Sequence, residues 1–203
     1  LLDPIKTQIT SLPFVERYGH LARIVSRMDE KETGKLYEQT FPVTSSMTEQ
    51  DCFNKGSYQD LLPDDSKKSV FYFEAPESIK SITTQTARGN VADVTCFVDL
   101  VGWLNLPKLG IVDSNAQSYF SLQVQKKLNC IMDAGDLGQM AYRVVEDKSH
   151  SENPFSKFSF DYNRVTMHPF TYLYLSIEIK AKINLACLDN YIQLTPIDCI
   201  DVY

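Results

Sequence analysis

The sequence predicts an α+β fold: a single antiparallel or mixed β-sheet with an N-terminal helix and one central helix packed on one face. Three observations predict it. Residues 171–185 alternate, with Leu173, Leu175, Ile177, Ile179, Ala181, Ile183 and Leu185 on one side and Tyr172, Tyr174, Ser176, Glu178, Lys180, Lys182 and Asn184 on the other. Residues 91–103 repeat that period of two, Ala92, Val94, Cys96, Val98 and Leu100 against Asp93, Thr95, Phe97 and Asp99. Between the two runs, Phe120, Val124, Leu128 and Ile131 recur with helical spacing. Helix, strands, helix, strands in that order are satisfied by one sheet with helices on one side.

Asp3 is placed to cap a first helix over 3–12, and Pro4 fits its first position, where a missing N–H costs nothing. Ile5, Ile9 and Leu12 share a face, and Pro13 ends the regular run. Strands are expected at 20–25 and at 36–41, the second stopped by Pro42. Residues 44–69 form a polar excursion or long loop from a single domain spanning 1–203, with a turn at Leu61-Leu62-Pro63-Asp64-Asp65. Loops of this length in a compact domain usually exist to contact something. The run 70–74 is a short strand closed by Pro76, with 91–103 as its expected antiparallel neighbour.

Ser114 is the expected cap of a helix over 114–132, whose Lys126 and Lys127 suit the negative end of the macrodipole. Gly135 and Gly138 mark the exit, 142–145 an edge strand and 149–154 a polar turn. A straight strand over 171–185 would reach about 50 Å, more than twice the usual length, so it is expected to bend or to project towards a neighbour. Leu188-Asp189-Asn190 supplies a turn for a returning run at 191–195.

The chain has 203 residues, 43% apolar and 23% charged, enough to bury a core without disulfides or metals. Its formal charge of -6 disfavours wrapping a nucleic-acid backbone. The opening Leu1-Leu2-Asp3-Pro4 lacks a basic segment before an apolar run, so no secretory leader is expected, and no apolar stretch is long enough to span a bilayer. The cysteines Cys52, Cys96, Cys130, Cys187 and Cys199 are widely spaced, which argues against a disulfide scaffold or thiolate zinc site and for a reducing compartment.

Motifs that carry chemistry are missing. His20, His150 and His168 have no partner at ligand spacing, and no phosphate-binding glycine loop or nucleophile elbow occurs. Cys130, placed towards the end of the central helix, faces a dipole that opposes a thiolate. Asp93 and Asp99 share a strand face but lie about 20 Å apart, too far for paired acid catalysis. The run 155–164 alternates aromatic and polar residues, so that Phe158, Phe160 and Tyr162 would share parity on a strand; core or subunit contact suits it better than base stacking. Neither enzyme activity nor any cofactor or metal is expected.

The order of elements resembles the tail-terminator or head–tail neck proteins of tailed bacteriophages. The resemblance rests on the N-terminal helix (3–12), the strand pair near 70–74 and 91–103, the helix at 114–132, and Phe158-x-Phe160-x-Tyr162 followed by Thr171-Tyr172-Leu173-Tyr174-Leu175. The chain is longer than a minimal tail terminator, and its 44–69 excursion has no counterpart there. The resemblance implies a structural subunit of a virion, assembled in the host cytoplasm. Its partners would be a homo-oligomeric ring, with six the first copy number to test, the tail tube and neck or portal proteins. DNA would pass through without sequence-specific binding, and no membrane is involved. The candidate subunit interface is Phe97, Trp103, Phe158, Tyr162, Tyr172 and Tyr174. The alternative is a non-catalytic module that binds a ligand or peptide on its sheet; clustering of His20, His168 and carboxylates in one cleft would instead revive an enzyme.

Overall fold

Strand pairing organises the chain, and helices cover what the pairing leaves apolar. The computed structural model describes residues 2–30, 36–44, 60–74, 79–86, 89–112, 115–133, 139–159 and 162–184. In chain order the elements are α1 (Asp3–Thr10), β1 (Arg17–Glu30), β2 (Leu36–Thr44), β3 (Ser69–Glu74), β4 (Ile79–Thr86), β5 (Gly89–Asn105), α2 (Ala116–Leu128), β6 (Cys130–Asp133), β7 (Gln139–Asp147), α3 (Tyr162–Thr166) and β8 (Phe170–Asn184). The α+β class holds: one mixed sheet runs β2-β1-β3-β5-β8-β7-β6, and β4 also pairs with β5.

The β5–β8 ribbon is the spine, paired without a break from Val91↔Asn184 to Asn105↔Phe170. Along the other edge of β5, β3 takes residues 99–104 and β4 takes residues 89–96. β1 is used twice. Its first residues lie parallel to β3 as far as Leu21↔Phe73, and from Ala22 onwards it pairs antiparallel with β2. The break falls at Gly19-His20. His20 has φ 56°, a left-handed conformation that redirects the strand, and a Cβ on Gly19 would sit 2.3 Å from the buried Leu61 side chain.

One face carries the main core. Ile5, Ile9 and Leu12, with Phe120, Val124 and Leu128 of α2, pack on Phe71, Phe73, Val98, Leu100, Leu175 and Ile177. Phe14 joins the layers, edge-on to Phe120 at 4.7 Å. Gly102 leaves room for the Phe71 ring, which approaches to 2.4 Å of where a Cβ would stand. The opposite face holds a second, smaller core of Leu61, Val70, Tyr72, Val101, Trp103, Phe155, Phe158 and Tyr174.

Several local expectations are corrected. Leu2 occupies the cap position of α1 without a side-chain bond, and Asp3 instead pairs with His20 Nε2 at 2.9 Å. Pro42 does not stop β2: the strand lies at the sheet's margin, where a missing N–H is tolerated, and the Pro42 carbonyl accepts from Leu61 N–H. The residues between the expected strands at 70–74 and 91–103 include a further strand, β4, over 79–86. The central helix ends at Leu128, so Cys130 and Ile131 belong to β6 and Ile131 is exposed, not core. β7 is not an edge, since β6 covers it. The run 155–164 is not a strand: turns and bends over 154–159 carry Phe155 and Phe158 inward, and α3 begins at Tyr162. Ser114, Pro76, Gly135, Gly138, Phe160, most of the 44–69 excursion and residues 185–203 lie outside the described residues.

Candidate interaction surface

The second face of the sheet divides into a covered and an open half. Odd residues of β5 and even residues of β8 point to this side. Val101, Trp103 and Tyr174 lie at one end, and the segment 148–169 returns over them. Nothing among the described residues returns over the other end. There Ile82 is opposite Asp93, Asp93 opposite Lys182, Phe97 opposite Glu178, and Glu178 opposite Arg143. Ile131 lies opposite Ala141, which lies opposite Lys180. Exposure is 70% at Ile82, 73% at Ile131 and 41% at Phe97.

Charges interleave with these apolar groups. Arg143 Nη2 reaches Glu178 Oε2 at 3.0 Å, Lys180 Nζ reaches Glu178 Oε1 at 3.1 Å, and Lys182 Nζ lies 3.9 Å from Asp93. Glu178 is largely covered between its two cations, whereas the Lys182–Asp93 pair is exposed at both ends and contributes about 0–1 kcal/mol at most. A shallow concavity of about 280 Å³ opens here beside Asp93, Thr95, Ile131, Ala141, Lys180 and Lys182. It lies at the small end of ligand sites.

The aromatic residues expected at a subunit contact separate accordingly. Trp103 is buried inside the chain, donates its indole N–H to the Val165 carbonyl at 2.6 Å and packs on Phe170 at 5.2 Å. Phe158 and Tyr174 are buried in the same second core. Tyr172 is half-buried against the edge of Phe155. Tyr162 opens α3, and its side chain lies outside the described residues. Phe97 is the one candidate with a described side chain on the open half. Trp103, Phe158 and Tyr174 are thus buried within the chain itself, packed with Phe155 of the returning segment.

A polar network marks the border between the halves. Asp99 accepts from Tyr174 Oη at 3.0 Å, from Lys148 Nζ at 3.4 Å and from the Ser176 hydroxyl. Glu74, opposite Asp99 on β3, pairs with Lys157. Burial pushes the Glu74 carboxyl up, and Lys157 opposes that rise. Burial and then the Asp99 charge push the Tyr174 phenol up, so it stays a proton donor. The Tyr72 hydroxyl is buried beside this network with no hydrogen-bond partner. Both lysines come from the returning segment and both acids from the sheet, so the network fastens the one to the other.

Chemistry elsewhere is sparse. Burial raises the Cys96 and Cys130 thiols, which keeps them protonated and poorly nucleophilic. A concavity of about 570 Å³ is lined by Pro13, Val15, Glu16, Ser66, Lys68 and Lys108, and Lys108 Nζ is occupied by the Ser66 carbonyl at 2.9 Å. Among the described residues no group of three His, Cys, Asp or Glu is arranged to hold a metal, and no helix is long and apolar enough to cross a membrane. His20 and His168 do not meet: His20 pairs with Asp3 beside α1, and His168 precedes β8, exposed.

No family model, curated protein or solved structure matches the chain. Ile82 and Ile131 escaped the sequence reasoning. The signal for Ile82 was present in Ile79 and Ile82 among the β-branched threonines of β4, but its polar composition reads as loop. Ile131 was absorbed into the helical spacing of α2.

Proposed function

We propose that this chain is a non-catalytic structural subunit that assembles into a ring, in the manner of proteins at the head–tail junction or tail end of tailed bacteriophages. The reading is carried by one observation: half of a sheet face bears Ile82, Phe97 and Ile131 open to solvent while the same strands are sealed at the other end. Layered domains cover the apolar face of a sheet, and an uncovered stretch marks a contact surface. The order of elements that resembles tail terminators supports the placement. In that setting the ring would contact the tail tube on one side and neck or portal proteins on the other, and DNA would pass through its opening without base-specific contacts. Mass in solution tests this directly. Light scattering and native mass spectrometry are expected to give a closed multiple of the 23.1 kDa chain, with six copies the first expectation, and negative-stain images to show rings. A monomer at all concentrations, with a small molecule or peptide bound at the open half, would replace this reading with a binding module.

A further inference from the structure

The open half-face meets two sheet edges, and both are bare among the described residues. β4 pairs with β5 in an unbroken register from Ile79↔Cys96 to Thr86↔Gly89, and no described strand pairs with its outer side. β1 is the strand that could have covered it. It follows β3 only to Leu21 and then turns away at the His20 kink to pair with β2. Natural edges are usually blunted by lysines, prolines or bulges. β4 has one lysine, no proline, no bulge and five β-branched residues. At the far side of the sheet, β6 pairs with β7 alone.

Two side chains make these edges complementary. Ile82 stands on β4, in the row of Asp93 and Lys182. Ile131 stands on β6, in the row of Ala141, Lys180 and Thr95. Asp93 and Thr95 are two residues apart on β5, so the rows are neighbours, about 7 Å apart, on one face. The two isoleucines, 70% and 73% exposed, thus lie on the two outer strands of the β4-β5-β8-β7-β6 part of the sheet, at nearly one height. Neither can reach the other within a chain. A second copy placed head to tail brings them together.

We propose that copies of this chain join edge to edge, β6 of one pairing with β4 of the next, with Ile131 packed against the neighbour's Ile82. Strand sense fixes the geometry. From β4 through β5, β8 and β7 to β6 every step is antiparallel, so β4 and β6 point the same way. Rotation about an axis along the strands preserves that sense, so the new pair is parallel and the contact heterologous, the kind that forms a ring when the rotation closes. This rests on the reading of the chain as a self-assembling subunit and adds which surfaces meet.

The test is a charge exchange on the full chain, read by light scattering and native mass spectrometry. Ile82→Lys and Ile131→Glu both alter exposed positions, and circular dichroism and thermal unfolding check that each variant folds as the parent does. Each alone is expected to weaken assembly by roughly tenfold or more, from one lost apolar contact and one unpaired charge at the seam. Both together in one chain set the introduced lysine of one copy against the introduced glutamate of the next at every seam. Assembly is then expected to return, now weakened by salt. Four outcomes overturn the proposal. If the parent assembles and neither single change alters its mass, other surfaces meet and the ring reading stands. If the double variant stays as dissociated as the single ones, the two edges do not face each other. A parent that is a dimer, and is sensitive at only one position, has a two-fold contact instead. A parent that is monomeric throughout sinks this pairing and the ring reading together.

Discussion

The covered and open halves of the second sheet face are built from the same strands with the same alternation. On β5, Val101 and Trp103 point the same way as Asp93 and Phe97; on β8, Tyr174 points the same way as Lys180 and Lys182. One set is interior and the other is surface. The difference is made by a third party, the segment 148–169, which lays Phe155 and Phe158 over one end. Alternation along a strand determines which side a residue faces. Whether that side is dry depends on a chain segment that returns from elsewhere.

The contrast is tested hardest at Trp103. Trp103→Ala empties the centre of the second core and leaves the Val165 carbonyl without its donor. Destabilisation of about 3–5 kcal/mol is expected in urea unfolding. A change below ~1 kcal/mol would mean that the returning segment does not seal this end in solution. Asp99→Ala tests the fastening at the border. It removes the acceptor of Tyr174, Lys148 and Ser176 at once. The expected loss is roughly 1–3 kcal/mol, moderated because Lys148 and Asp99 keep some solvent contact.

How much of this was legible beforehand varied by element. β8 and β5 could be read because each had a long two-residue period that only a pleated strand satisfies. α1 could be read from Pro4 and the spacing of Ile5 and Ile9. β4 could not, because Ile-Lys-Ser-Ile-Thr-Thr-Gln-Thr has only two strongly apolar residues, three apart, and so shows no two-residue period. The aromatic run from Phe155 could not either. Asn153 Oδ1 accepts from Phe155 N–H and starts a turn, so the apparent strand alternation there has no ladder behind it. The site suffered most: Trp103, Phe158 and Tyr174 have the composition of an interface, but they hold the chain's own segment. Of the two that stayed outside, Ile82 sits in a polar run, and Ile131 continues the helical spacing of Phe120, Val124 and Leu128 although the helix ends at Leu128.

Two smaller effects run against expectation for a core. Tyr72→Phe removes a buried hydroxyl that has no partner, so it is expected to stabilise the fold by about 1 kcal/mol. Glu74 carries a pH signature. Burial raises its carboxyl in the folded state, so that state holds the proton more tightly than the unfolded chain does. Its contribution is therefore fully present below the ordinary carboxyl range and is lost as pH rises through and above that range. Glu74→Gln should remove this part of the slope, visible as a stability gain over the parent that grows with pH. A gain that shrinks with rising pH would mean that Lys157, not burial, dominates the site.

The smallest effect belongs to Phe97, and it separates folding from assembly. Its ring is aromatic, sits in the middle of β5 and shares a face with Trp103, so composition alone assigns it a core role. The structure leaves it 41% exposed, with Glu178 opposite and no described segment returning above. Phe97→Ala should then shift unfolding of the isolated chain by less than ~1 kcal/mol, a small fraction of the Trp103→Ala loss. The stems of neighbouring charged residues close over the vacated space. If the two substitutions destabilise a dissociated chain equally, the open half is covered by the chain itself and the surface argued from it disappears. If Phe97→Ala spares folding but reduces particle mass, the apolar groups of this half-face act between chains.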